Sequence, residues 1–214
     1  PSNSSAASDV YKRQVLVDLN DASATLPNSY NSVENITPLE TPLSSTINGA
    51  ALATPVFLSL YVENDLRLDK YFAETDEKGF RKNKKAGSNN YLCTFRVGEI
   101  YLTAAEAAAR LGELSQARTR LLELMRKRYA PEAYEAKSVV VNAMDKEALV
   151  QEILDERARE LAFEGHRWFD LRRSTRPRLE KVLDGTRYVL EENDARYTLA
   201  IPKEAIEANP GLLN

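Results

Sequence analysis

Residues 153–173, ILDERARELAFEGHRWFDLRR, limit what this chain can fold into more than any other stretch. Leu149, Val150, Ile153, Leu154, Ala158, Leu161 and Ala162 recur at helical spacing, and Asp155, Glu156, Arg159 and Glu160 fill the positions between. The spacing predicts a helix over 145–164, ended by Gly165 in the left-handed conformation of a C-cap. Glu164, His166, Arg167, Trp168, Phe169, Asp170, Leu171, Arg172 and Arg173 then interleave acid, base and aromatic. Arg167 with Asp170, or Glu160 with Arg172, can pair while Trp168, Phe169 and Leu171 enter a core. A ligand site would use the same carboxylate, guanidinium and indole groups. Arginine–carboxylate forks commonly serve packing, and perturbed charges mark sites only probabilistically, so the structural reading leads.

The 214 residues are enough for one domain with its own core or for part of a larger one. A net charge of -3 with no basic stripe argues against a dedicated nucleic-acid binder. Arg81, Lys82, Lys84 and Lys85 sit among glycine and asparagine and read as a solvated loop. The single cysteine, Cys93, excludes an intrachain disulfide framework and a cysteine-based metal site, and its apolar neighbours predict a buried thiol in a strand. The single histidine, His166, leaves multi-histidine metal sites and Ser-His-Asp chemistry almost no material. No cofactor or metal is implied. The most apolar window, 50–61, is too short to span a bilayer and contains Pro55. Residues 1–14 resemble an adapter-derived sequencing tract and are set apart from the fold.

From residue 15 the pattern is mostly α. A short strand is predicted over 15–19, then a long ordered loop over 20–48. Loops of that kind carry binding residues, and Asn28, Tyr30 and Asn31 suit a polar ligand, although a plain surface turn fits them as well. Thr54 and Pro55 start a helix over 55–61. Asp65 and Arg67 can pair locally. A helix over 96–111 has Ile100, Ala104, Ala107, Ala108 and Leu111 on one narrow face, and Gly112 turns the chain. Ser115 can cap a second helix over 116–128 that buries Ala117, Leu121, Leu124 and Met125. The two form a tetratricopeptide-like hairpin, which must stack on further helices to bury its face. Residues 130–143 read as a connection, 177–183 as a short helix or turn, and 187–190 with 197–201 as a small C-terminal β-hairpin. A last helical turn covers 203–208.

Three segments, RVGEIYLTAAEAAARLGELSQA, ILDERARELAFEGHRWFDLRR and LAIPKEAIEANPGLLN, resemble in order the C-terminal half of SusD/RagB-type proteins. The resemblance runs from about residue 55 to 214 and includes the NDLR of 64–67. It implies a mostly α-helical SusD-like superhelix of tetratricopeptide-like pairs, with long loops and a small hairpin. Residues 15–214 would then be the C-terminal part of a domain whose N-terminal half lies upstream. It implies non-catalytic binding of an oligosaccharide or other nutrient at the surface of the bacterial outer membrane. It also implies delivery to a SusC-like TonB-dependent transporter, with tethering through an N-terminal lipid absent from this chain. The EGxRWFDLRR-type motif is matched by Glu164, Gly165, Arg167, Trp168, Asp170 and Arg172, and the resemblance makes it a scaffold signature.

Two other functions compete. An all-α glycoside hydrolase needs two facing carboxylates, and Glu160, Glu164 and Asp170 form the best local trio. Surrounding arginines lower carboxylate pKa, the wrong direction for a general acid. A cytosolic tetratricopeptide scaffold would show further repeats and no export signal. On the structural reading, Asp170→Ala is expected to strand a buried arginine at a cost of about 3–5 kcal/mol.

Overall fold

The computed structural model describes residues 15–29, 31–39, 52–85, 93–183, 185–209 and 211. The readings of residues 1–14, of Tyr30 and of the Cys93 side chain fall outside the described residues. In chain order the elements are β1 (Asn35–Leu39), β2 (Leu52–Ala53), α1 (Pro55–Leu58), α2 (Arg67–Tyr71), β3 (Phe72–Thr75), β4 (Arg81–Asn83) and β5 (Cys93–Arg96). Four longer helices follow: α3 (Val97–Leu111), α4 (Leu114–Met125), α5 (Pro131–Ala143) and α6 (Lys146–Glu160). Then come α7 (Arg167–Arg173), β6 (Leu179–Leu183), β7 (Thr186–Leu190) and α8 (Lys203–Ala208). The fold is mostly α, as the periodicity predicts. No helix among the described residues is long and apolar enough to cross a membrane.

The chain divides into two compact units at His166/Arg167. In the first, α3 packs on α4 and α6, and α4 packs on α5. Gly112 makes the first turn possible: at φ +87° it takes the left-handed conformation and donates to the carbonyls of Ala108 and Ala109. Asp145 starts α6 by accepting from the Ala148 amide. Leu102, Ala105, Ala109, Leu121, Leu124, Met125, Val141, Leu149 and Ile153 form the interhelical core. A second core gathers Val17, Leu19, Tyr61, Tyr71 and Phe72, where Phe57, Tyr61, Phe72 and Phe163 meet edge to face at 5.6–6.4 Å. β1 pairs antiparallel with β5, and β2–β4–β3 form a small antiparallel sheet.

Several expectations are corrected. The inward face of α3 carries Leu102, Ala105 and Ala109, whereas Ile100 and Leu111 are exposed. Five alanines in this helix leave its inward face weakly marked. The connection over 130–143 is helix α5, opened by Pro131 at its first position. Ser115 lies inside α4, where Glu113 holds the cap position without a side-chain bond. The helix over 145–164 stops at Glu160, and Gly165 (φ +86°) belongs to the turn that follows. Residues 15–19 pair with no strand among the described residues. Val17 donates to the Glu34 carboxylate, and Leu19 to the Lys127 carbonyl.

In the second unit the hairpin joins β6 to β7, with Leu183 opposite Thr186. In the sequence, the Asp-Gly dipeptide at 184–185 is a stronger hairpin signal than the apolar residues of 197–201. Residues 195–197 are a 3-10 turn rather than part of a strand. Trp168 stacks on Tyr197 at 5.2 Å and 13°. Phe169, expected in a core, is exposed, while Leu171 is buried.

Candidate functional site

The sequence singles out charges around 153–173, and the structure buries four of them, Glu156, Arg159, Glu160 and Glu164, in a network assembled from the first unit. Glu156, Arg159 and Glu160 occupy one face of α6 at i, i+3 and i+4. Main-chain pairing aligns two partner segments: Leu66 donates to the Arg128 carbonyl, and Ala130 to that of Asn64. Arg67 and Arg128 thereby arrive side by side. Arg96 ends β5, and Glu34 immediately precedes β1. Lys85 follows β4. Five carboxylates (Glu34, Asp65, Glu156, Glu160, Glu164) and five cations (Arg67, Lys85, Arg96, Arg128, Arg159) are thus buried together among the described residues.

Glu160 is the hub. Its oxygens accept from Arg96 at 2.6 Å, from Arg128 at 2.9 Å and 3.0 Å, and from Arg67 at 3.1 Å. Arg67 also forks onto Asp65 at 2.8 Å and 2.9 Å and reaches Glu156 at 2.7 Å. Arg96 forks onto Glu164 at 2.9 Å and 3.0 Å and meets Glu34 at 3.1 Å. Lys85 places its ammonium on Glu164 and on the Glu160 carbonyl and lies 4.3 Å from the Tyr71 ring centre. The reading of Lys85 as part of a solvated loop is therefore corrected. Its neighbours are polar, so the burial has no local sequence signal.

Burial raises a carboxyl pKa, yet the facing guanidinium groups outweigh it here. Glu156 is held at about 2 by Arg67 and Arg159. Glu160 is held well below its usual range by Arg128, Arg96 and Arg67, and Glu164 below by Arg96 and Lys85. Burial pushes Lys85 the other way, down to about 8, although Glu164 partly restores it. Every carboxylate in this network is spent on internal cations. The arrangement suits a rigid scaffold, and Glu156, Glu160 and Glu164, held in the ionised form, carry no proton to donate at neutral pH.

The residues picked from sequence divide accordingly. Glu164 is in the network, and Gly165 supplies the turn beside it. Asp170 is buried and accepts from Arg173 at 2.7 Å and 3.0 Å, within α7, so the expected Arg167 partner is replaced by its i+3 neighbour. Arg173 keeps 44% of its side chain exposed. Arg167 is exposed and Arg172 half-buried. Asn28 is buried and donates to the Lys85 carbonyl at 2.8 Å, which makes it a brace of the network's Lys85 segment. Asn31 is exposed.

An open cleft of about 640 Å³ lies beside the turn between α4 and α5, where sequence reasoning placed only a connection. Asp18, Asn20, Lys127, Tyr134, Ser138 and Asn142 are among its lining residues. Its floor is fixed: the Asn20 amide donates to Asp18 at 3.0 Å and to the Tyr129 carbonyl at 3.2 Å. Lys127 meets Asp18 at 2.8 Å. Tyr129 directs its hydroxyl inward to Glu156 at 3.0 Å.

A sequence model described as the SusD family matches residues 57–214, which holds the helical pairs, the charge network's hub and the C-terminal unit. The chain belongs to the SusD family. Two solved SusD-type structures share its fold. One is described as a SusD-like carbohydrate binding protein from Bacteroides vulgatus, with TM-score 0.63 and 18% identity, over 94% of this chain and 52% of that one. The other, a SusD superfamily protein from Bacteroides thetaiotaomicron, has TM-score 0.66 and 22% identity, over 96% of this chain and 54% of that one. The chain thus spans about half the length of these SusD-type structures. Among functionally curated proteins none matches this sequence.

Proposed function

We propose that this chain serves non-catalytic capture of an oligosaccharide or related nutrient at the bacterial outer-membrane surface, for handover to a SusC-like TonB-dependent transporter. In this reading residues 15–214 are the C-terminal part of a lipid-tethered protein, and Tyr30 and Asn31, which precede β1 in sequence, remain candidate ligand contacts. Membership of the SusD family carries the proposal. One structural neighbour is described as a carbohydrate binding protein, in agreement with it. The charge network supports the non-catalytic part, because Glu160 and Glu164 are buried, ion-paired and shifted toward the ionised form.

Affinity electrophoresis through gels containing soluble polysaccharides tests the capture step, with reducing-end assays on the same samples. Retardation without release of reducing ends is expected. Unretarded migration in every gel, or sugar release by the pure protein, would contradict the proposal. Co-purification of the lipid-anchored protein with a TonB-dependent barrel from its native membrane tests the handover.

A further inference from the structure

The charge network explains neither the cleft at the α4–α5 turn nor the side chains at its mouth. We propose that this cleft is a subsite for a neutral, hydroxyl-rich sugar unit, with Tyr134 as its stacking face and Asp18, Glu135 and Asn142 as its polar contacts. The proposal rests on the binding function inferred above and assigns that function a place.

The charge pattern decides the ligand class. Asp18 and Lys127 neutralise each other within the cleft, and Arg126 and Glu135 bring one exposed charge of each sign to its lining. A phosphate or polyanion is drawn to a field of one sign, which this lining lacks. It offers mixed donors and acceptors instead. The Asn142 amide does both, and Asp18 accepts. The Ser138 hydroxyl donates its proton to the Glu135 carbonyl at 2.8 Å and so turns its lone pairs outward as acceptors. Hydroxyl groups on a sugar ring both donate and accept, and match such a set. Tyr134 is half-buried, packed against the helical core on one side and lining the cleft on the other. An aromatic face of this kind suits the apolar face of a pyranose.

The size and rigidity of the cleft agree. Its volume of about 640 Å³ falls in the range of small-molecule sites. Asp18 is pinned by Lys127, by the Asn20 amide and by the Asn20 main chain at 3.0 Å, so little ordering is left for a ligand to bring about.

The test is isothermal titration of the intact chain with maltohexaose, cellohexaose and xylohexaose, and with trigalacturonate as the anionic probe. One neutral hexasaccharide is expected to bind. Its affinity should fall by at least about tenfold in Glu135→Ala/Asn142→Ala and in Tyr134→Ala, and stay within about twofold in Tyr134→Phe. Glu135 and Asn142 are exposed, so the double variant decides the matter even if Tyr134→Ala fails to fold. Neutral binding that is unchanged in the double variant overturns the subsite and leaves the capture function standing elsewhere on the protein. Binding of none of the neutral probes overturns both. Preferential binding of trigalacturonate, lost in the double variant, overturns the neutral class.

Discussion

Glu160 receives three guanidinium groups brought from 67, 96 and 128, and nothing near it in sequence identifies those partners. Replacing it by glutamine keeps the shape and removes the charge. The five buried cations then share four carboxylates, and the cost should be about 3–5 kcal/mol in denaturant unfolding. Asp170→Ala belongs to a different case. Its partner Arg173 reaches water, so the expected loss is about 1 kcal/mol, well below what a buried arginine would impose. Gly98 is a third sensitive residue. A Cβ there would lie 2.6 Å from the Arg96 guanidinium and 3.2 Å from both Glu160 and Glu34. Arg96 cannot swing aside without leaving Glu164 and Glu160. Gly98→Ala should therefore destabilise by about 1–3 kcal/mol, although alanine is the better helix former. A thermal melt showing Gly98→Ala equal to the parent would contradict this packing.

At the scale of elements, caps and periodicity act more locally and were correspondingly easier to read. The helix over 146–160, the α3–α4 hairpin, the Thr54–Pro55 start and the last helical turn were legible because each rests on signals within one turn of chain. The inward face of α3 was not, because alanine supplies little contrast between faces. Helix α5 has a weak sequence signal, because its consecutive Val139, Val140 and Val141 show no helical spacing and only Val141 of the three is buried. The hairpin lies one strand earlier than the apolar residues over 197–201 suggest, on either side of the Asp-Gly dipeptide in the sequence. The cleft is invisible in the sequence for a plainer reason: it joins residues 18–20 to 122–142, and only the fold brings them together. Cap chemistry gives a test at this scale. Asp145→Ala should cost about 1 kcal/mol, while Ser115→Ala should change stability by less than about 0.5 kcal/mol, both read from chemical denaturation.

At the scale of the whole molecule, the buried charges tie stability to pH. Glu156 is held at about 2 in the fold against an ordinary 4.5. The folded state thus binds its proton less readily than the unfolded chain does. That stabilisation is complete above pH 4.5 and is lost as pH falls toward 2, and Glu160 and Glu164 add in the same direction. For Glu156 alone the loss is about 3 kcal/mol. Lys85, held at about 8 against 10.5, makes the fold gain stability as pH rises from 8. Near pH 10 the buried Tyr61, Tyr71 and Tyr129, whose hydroxyls titrate well above 10, reverse that gain. Melting temperature should therefore fall steeply below pH 4.5, rise modestly between pH 8 and 10, and fall again above. A flat acid limb would mean that the network is not formed in solution.

The buried acids build the scaffold, and the proposed capture of sugar lies elsewhere on the protein and involves no chemistry. The most direct measurement is a glycan titration of Glu164→Gln, made well below its melting temperature and beside the parent protein. A lower melting temperature, the parent's affinity, and intact sugar recovered at the end are expected. Unchanged stability with binding lost, or hydrolysis by the parent that disappears in the variant, would contradict it.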